Sequence, residues 1–199
     1  MQINDGTGKG YAQKVNSNNQ AYTFTVTEDE AQAGNALGNA FNINTGTIAL
    51  TGTSESAILY FKNDESAVSG ESDYVITSII IGIGTRSATV TDAAAITILR
   101  NPTAGTIVDN ASAAAMKSNS NFGSSNELSD SLVYKGANGY TFTDGTDHAL
   151  IYMTDGRMAA PVNIELPKGA SVGVKIDLNT SGGANVYCAL IGYRKDGNI

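Results

Sequence analysis

Apolar and polar residues alternate with a period of two along most of this chain, the signature of strands buried on one face. Ala21-Tyr22-Thr23-Phe24-Thr25-Val26-Thr27 sets Tyr22, Phe24 and Val26 against a row of threonines. The alternation resumes at Phe41 and Ile43 and, beyond the Thr45-Gly46 turn, at Ile48 and Leu50. Residues 58–62 read as a strand buried on both faces, with Ile58, Tyr60 and Lys62 opposed to Leu59 and Phe61, and Asn63-Asp64-Glu65 ends that strand before a polar loop over 66–72. The densest run lies between Tyr74 and Ile83, where β-branched residues favour strand over helix. Ala88–Val90, Ile96–Leu99 and Ile107–Val108 read as short strands, with a turn at Arg100-Asn101-Pro102-Thr103. Residues 109–131 form the long loop: Ala113–Met116 is one helical turn or an irregular strand, and 119–126 is an exposed Asn/Ser/Gly stretch. Strands follow at 132–134, 149–153, 162–166, 172–178 and 186–193, with a loop containing Gly156 and Pro161 and tight turns at Pro167-Lys168-Gly169 and Thr180–Gly183.

Helix signals are sparse. Thr27-Glu28-Asp29-Glu30 has the spacing of a capping box, and Gly34 and Gly38 limit the helix behind it to about two turns. The count of roughly eight to ten strands with little helix predicts an all-β, two-sheet, jelly-roll-like β-sandwich. Residues 21–199 form one domain, with the sandwich proper over about 21–195; residues 1–20 form an N-terminal arm. The predicted core is Phe24, Ile43, Ile58, Tyr60, Ile79, Ile81, Ile98, Ile151, Val174, Ile176, Tyr187 and Ile191.

Composition narrows the function. Only 16% of the 199 residues are charged, and the balance of 12 basic against 19 acidic side chains, with no basic cluster, argues against a nucleic-acid partner. One cysteine excludes a disulfide within the chain, and Cys188 with His148 cannot build a Cys/His metal site. Cys188, in the final alternating strand, reads as a buried structural thiol. No apolar run reaches the 18 or so residues of a membrane helix. The opening MQINDGTGKG lacks the apolar core of a signal peptide.

Catalytic and ligand motifs are weak. A hydrolytic triad would have to use His148, at a strand edge, and no Gly-x-Ser-x-Gly elbow accompanies it. Glu55, Asp73, Glu127 and Glu165 are carboxylates of the type glycoside hydrolysis needs, yet they also read as solvated charges on turns. Asp144-Gly145-Thr146-Asp147 begins like a calcium loop but does not continue to a glutamate at the twelfth position, so a solvent turn fits better. Gly82-Ile83-Gly84 lacks the third glycine and the helix of a dinucleotide loop. The glycosylation sequons at Asn110 and Asn179 are chance matches in a chain rich in Asn, Ser and Thr. No catalytic residue, metal or cofactor is expected.

Five segments carry a family resemblance: Phe41-Asn42-Ile43-Asn44-Thr45-Gly46, Leu59-Tyr60-Phe61-Lys62-Asn63-Asp64, Arg100-Asn101-Pro102-Thr103-Ala104-Gly105-Thr106-Ile107, Asn121-Phe122-Gly123-Ser124-Ser125-Asn126 and Leu166-Pro167-Lys168-Gly169-Ala170-Ser171. In these turn and strand-edge motifs the chain resembles structural proteins of tailed-bacteriophage virions. The resemblance implies a jelly-roll sandwich on the particle, assembled in the host bacterial cytoplasm, either as a capsid decoration or cement protein against the major capsid protein or as a tail or fibre module recognising a glycan or receptor. It also implies a homo-oligomer, a trimer or another ring; no nucleic-acid or membrane partner is expected, on the composition and run lengths. Ile3, Tyr11 and Val15 are the candidate partner contacts of the arm, with Tyr11 as main anchor; a frayed terminus explains the same residues equally well.

Overall fold

The computed structural model describes residues 30–52, 54–67, 70–71, 73–87, 90, 92–109 and 115–195. The arm, the expected strand at 21–27, Phe24 and the first three residues of the capping box lie outside the described residues. The elements are α1 (Glu30–Ala36), β1 (Ala40–Asn44), β2 (Ile48–Leu50), β3 (Ser56–Lys62), β4 (Ser66–Ala67), β5 (Gly70–Glu71), β6 (Asp73–Ile83), β7 (Ala94–Arg100), β8 (Met116–Asn119), β9 (Leu132–Lys135), β10 (Thr146–Met153), β11 (Gly156–Leu166), β12 (Ser171–Asp177) and β13 (Ala184–Lys195).

Two antiparallel sheets hold eleven of these strands. Sheet one runs β11-β6-β13-β1-β8 with β2 also on β13, and sheet two runs β10-β7-β12-β3-β9. Eight strands form the framework: β1, β3, β6, β7, β10, β11, β12 and β13. They pair as nested partners, first with last (β1 with β13), second with seventh (β3 with β12), third with sixth (β6 with β11) and fourth with fifth (β7 with β10). That nesting is a jelly roll, a long hairpin rolled so that its two arms alternate between facing sheets. The expected fold class holds, with β2, β8 and β9 added to the eight-strand framework.

The inward rows meet in one core that includes Phe41, Ile43, Ile58, Phe61, Ile79, Ile81, Ile96, Ile98, Val174 and Ile176. Tyr74 joins it, its ring edge-on to Phe61 at 4.9 Å and its buried hydroxyl donating to Phe41 O at 3.1 Å. A second cluster lies on the other face of sheet two, where Ala57, Tyr60 and Ile107 are buried beneath Tyr134, Tyr140 and Phe142. The Phe142 ring rests on Gly173, where a Cβ would come within 2.6 Å of it.

Several expectations change. Tyr187 and Ile191 are only half-buried, because the core row of β13 is Val186, Cys188 and Leu190. Tyr187 instead lies over Gly82 on the outer face, where a Cβ would sit 1.9 Å from the ring. Ile151 packs against the core but is half-buried. Gly156 and Pro161 belong to β11 rather than to a loop; β11 is an edge strand, where a missing N–H is tolerated. Ile107 and Val108 form a turn instead of a strand, and residues 66–71 contain the short β4–β5 pair. The expected strand at 88–90 is described only at Val90, which bridges Thr180.

Cys188 is fully buried, and its backbone N–H donates to Thr45 Oγ1 at 3.0 Å. Burial pushes its thiol up to about 12. At pH 8 only about one thiol in ten thousand is then ionised, and the thiolate is the reactive form. A disulfide-exchange reagent is expected to leave the native protein unlabelled over hours and to label it fully in denaturant. Rapid labelling of the native protein would place the thiol at the surface.

Candidate functional site

β10 and β11 end the two sheets on the same side of the sandwich and are joined through Thr154 and Asp155. A cleft of about 380 Å³ opens at one end of this side. Its floor is apolar, formed by Ile98, Ile164, Leu166 and Val172, and its rim carries Arg100, Asn101, His148, Asn163 and Glu165. The register of β10 on β7 shifts between Asp147 and Ala149, so His148 is the extra residue of a β-bulge and points into solvent at the rim. Asn101 has φ 50°, and its Oδ1 accepts from the Ser171 amide at 3.1 Å, which fixes the corner of the mouth.

The carboxylates singled out in the sequence do not converge. Glu165 is at the rim with Lys195 3.7 Å away, Glu55 pairs with Lys175 at 3.1 Å, Asp73 opens β6 and Glu127 is exposed in the 119–131 loop. Among the described residues no group of three His, Cys, Asp or Glu side chains is placed to hold a metal ion. Asp144 braces a turn: it accepts from the Thr103 hydroxyl and from the Thr103 and Ala104 amides, and these bonds hold its carboxyl below the usual range. Ile3, Tyr11 and Val15 lie outside the described residues.

A second feature stands at the opposite edge of sheet one. Phe122 is 98% exposed at the tip of the loop after β8. Asparagine side chains pin that loop to the end of α1. Asn119 Nδ2 donates to Gly38 O at 2.7 Å, Asn121 Nδ2 to Asn35 O at 3.1 Å and Asn126 Nδ2 to Leu37 O at 3.2 Å. These donors satisfy carbonyls that a helix end leaves open. Gly38, at φ 74°, completes the cap: its amide bonds Asn35 O and the Asn39 amide bonds Gly34 O, the pattern of a Schellman motif. A Cβ on Gly38 would lie 2.1 Å from Ser124 Oγ, so this glycine also makes room for the loop. The result is a braced loop carrying an aromatic ring with no cover among the described residues.

A third exposed row lies on β10, where Leu150 and Tyr152 are 55% and 64% exposed. Sequence reasoning marked 119–126 as exposed but not Phe122 as its prominent residue. It missed Leu150 and Tyr152, because the alternate residues Ile151 and Met153 are equally apolar.

No family model matches the chain, and no curated protein does. Among solved structures, the mitogen derived from Yersinia pseudotuberculosis is similar over 79% of this chain and 89% of that one, with a TM-score of 0.31 and 14% identity. A likeness this distant carries no information on function.

Proposed function

We propose that this chain is a non-enzymatic structural component of a phage virion, a capsid decoration or cement protein that bridges and stabilises neighbouring subunits of the major capsid protein as a homotrimer or other ring. The observation that carries the reading is the braced Phe122 loop. An exposed aromatic on a loop already fixed by hydrogen bonds offers large contact area at little ordering cost, which is the profile of an interface anchor. A protein that binds only the assembled shell stabilises it by mass action, and a ring multiplies modest contacts through avidity. Phe122→Ser is expected to weaken particle binding by about 2 kcal/mol or more per site, some 30-fold, while leaving the urea midpoint unchanged. Unchanged binding to purified shells would remove Phe122 as the anchor. Protein copy number per particle tests the assignment itself: hundreds of copies fit a decoration protein.

A tail or fibre module that binds a glycan is the second reading. The cleft favours it, since an amide- and charge-bearing rim around an apolar floor suits a ligand with polar edges and an apolar face. Few to tens of copies per particle, with glycan binding lost on Asn163→Ala, would select this reading.

A further inference from the structure

The inward row of β7 ends on a charge. Residues directly opposite in an antiparallel pair share a face. Ile96, Ile98 and Arg100 stand opposite Ile176, Val174 and Val172 of β12, and those three are buried in the core. Arg100 thus follows Ile96 and Ile98 on the core face and emerges at the cleft, beside the floor residues Ile98 and Val172. Among the described residues its side chain has no hydrogen-bond or ion-pair partner. The acids of the neighbouring segments are committed elsewhere. Asp144 accepts from Thr103 and Ala104, Glu165 faces Lys195 at 3.7 Å, and Asp147 stands opposite Leu99 on the outer row. The mouth of the cleft therefore offers positive charge in a chain whose net charge is −7. Asn101, Asn163 and His148 add neutral N–H donors around it.

An unpaired guanidinium on an open surface needs only water. Arg100 instead stands beside an apolar floor of four side chains, and the two together suit a ligand with one apolar face and one anionic edge. The fork of arginine donors matches a carboxylate in bidentate fashion. The cleft, about 380 Å³, is at the lower end of the range of about 300–1,000 Å³ for small-ligand sites, room for a single ring rather than a long chain. We propose that the cleft binds an acidic sugar, a pyranose whose carboxylate is held by Arg100 and whose ring face lies on Ile98, Ile164, Leu166 and Val172. The proposal rests on the glycan reading of this cleft and gives it a ligand class.

The test titrates the isotope-labelled full chain at neutral pH with two acidic sugars, glucuronate and N-acetylneuraminate, and with glucose and acetate, following the Ser171 and Val172 amides by NMR. At least one acidic sugar is expected to shift these amides with a Kd in the millimolar range, at least tenfold tighter than glucose or acetate. Arg100→Gln alters an exposed side chain, so it should leave the urea midpoint unchanged while weakening the acidic sugar at least tenfold, toward glucose. Glucose binding as tightly as both acids would overturn the acid preference and leave the glycan reading standing. Acetate binding as tightly would also overturn the proposal, reducing the cleft to a carboxylate site that does not use its floor. Acid binding that survives Arg100→Gln would overturn the role of Arg100. Binding of none of the four would remove the acidic sugar and the glycan reading together.

Discussion

Arg86→Ala is expected to lower stability by about 2–4 kcal/mol, because it strips the donor from the buried Leu178 carbonyl and the part-buried Asp92 carbonyl, where a buried carbonyl left unbonded costs about 1–3 kcal/mol. The Arg86 side chain is nearly fully buried, with one guanidinium nitrogen donating to Asp92 O at 2.7 Å and Leu178 O at 2.8 Å. Its Nε donates to Asp155 Oδ1 at 2.6 Å and its backbone N–H to Asp155 Oδ2 at 3.0 Å. One side chain thereby ties the segment after β6, the approach to β7, the β10–β11 connection and the end of β12. Arg86→Lys keeps the charge but not the fork, so it should recover little of the loss. The Arg86 amide, and then its guanidinium, hold the Asp155 carboxyl below the usual range. A carboxyl depressed in the folded state stabilises it above the unfolded pKa, near 3.9, and that contribution fades as pH falls through the folded value. Urea melts should show the wild type losing stability below about pH 4. Arg86→Ala should lose less over the same window, while Asp144, braced by Thr103 and Ala104, contributes alike in both proteins. Equal acid slopes would remove the Arg86–Asp155 pair as a cause.

Ile176→Ala is expected to cost about 2–5 kcal/mol, the range for emptying a packed aliphatic site. Ile176 is fully buried in β12, inside sheet two, in register with Ile96 of β7 and Ser56 of β3. Strands on both sides leave little freedom to collapse into the cavity. Leu190→Ala on β13 belongs in the same range, whereas Ile191→Ala, one residue on and half-buried on the outer face, should cost about 1 kcal/mol. Chemical denaturation of the three variants reads the facing of β13 directly. A loss under about half a kcal/mol at Ile176 would place it on the surface.

Legibility in the sequence followed how unequal the two rows of each strand are. β12 alternates cleanly, and Val174 and Ile176 are where the pattern puts them. In β13 both rows are apolar, so period alone cannot choose between Val186-Cys188-Leu190 and Tyr187-Ile191. The choice is made in three dimensions, where Tyr187 covers Gly82. Pro161 and Gly156 mimic a loop because local turn chemistry does not reveal that a strand lies at a sheet edge. The nested strand order was legible only as a fold class, since it depends on pairings between distant residues such as Phe41 with Gly192. For the candidate site, the Asn-rich composition announced exposure of 119–126, but bonds from Asn119, Asn121 and Asn126 to residues some 80 positions earlier leave no local pattern.

The place of β13 bears on how the domain is made. It is the last of the described strands, yet it lies between β1 and β6 and also holds β2. Before it is translated, sheet one can exist only as two fragments, β6 with β11 and β1 with β8. From the end of β11 at residue 166 to the end of β13 at 195, the ribosome adds 29 residues, about 1.5–6 s at 5–20 residues per second. For that time the nascent chain holds bare strand edges on both fragments, an opening for chaperones and for pairing with neighbouring nascent chains. A message truncated ahead of β13 yields two half-sheets with no shared centre rather than a smaller jelly roll.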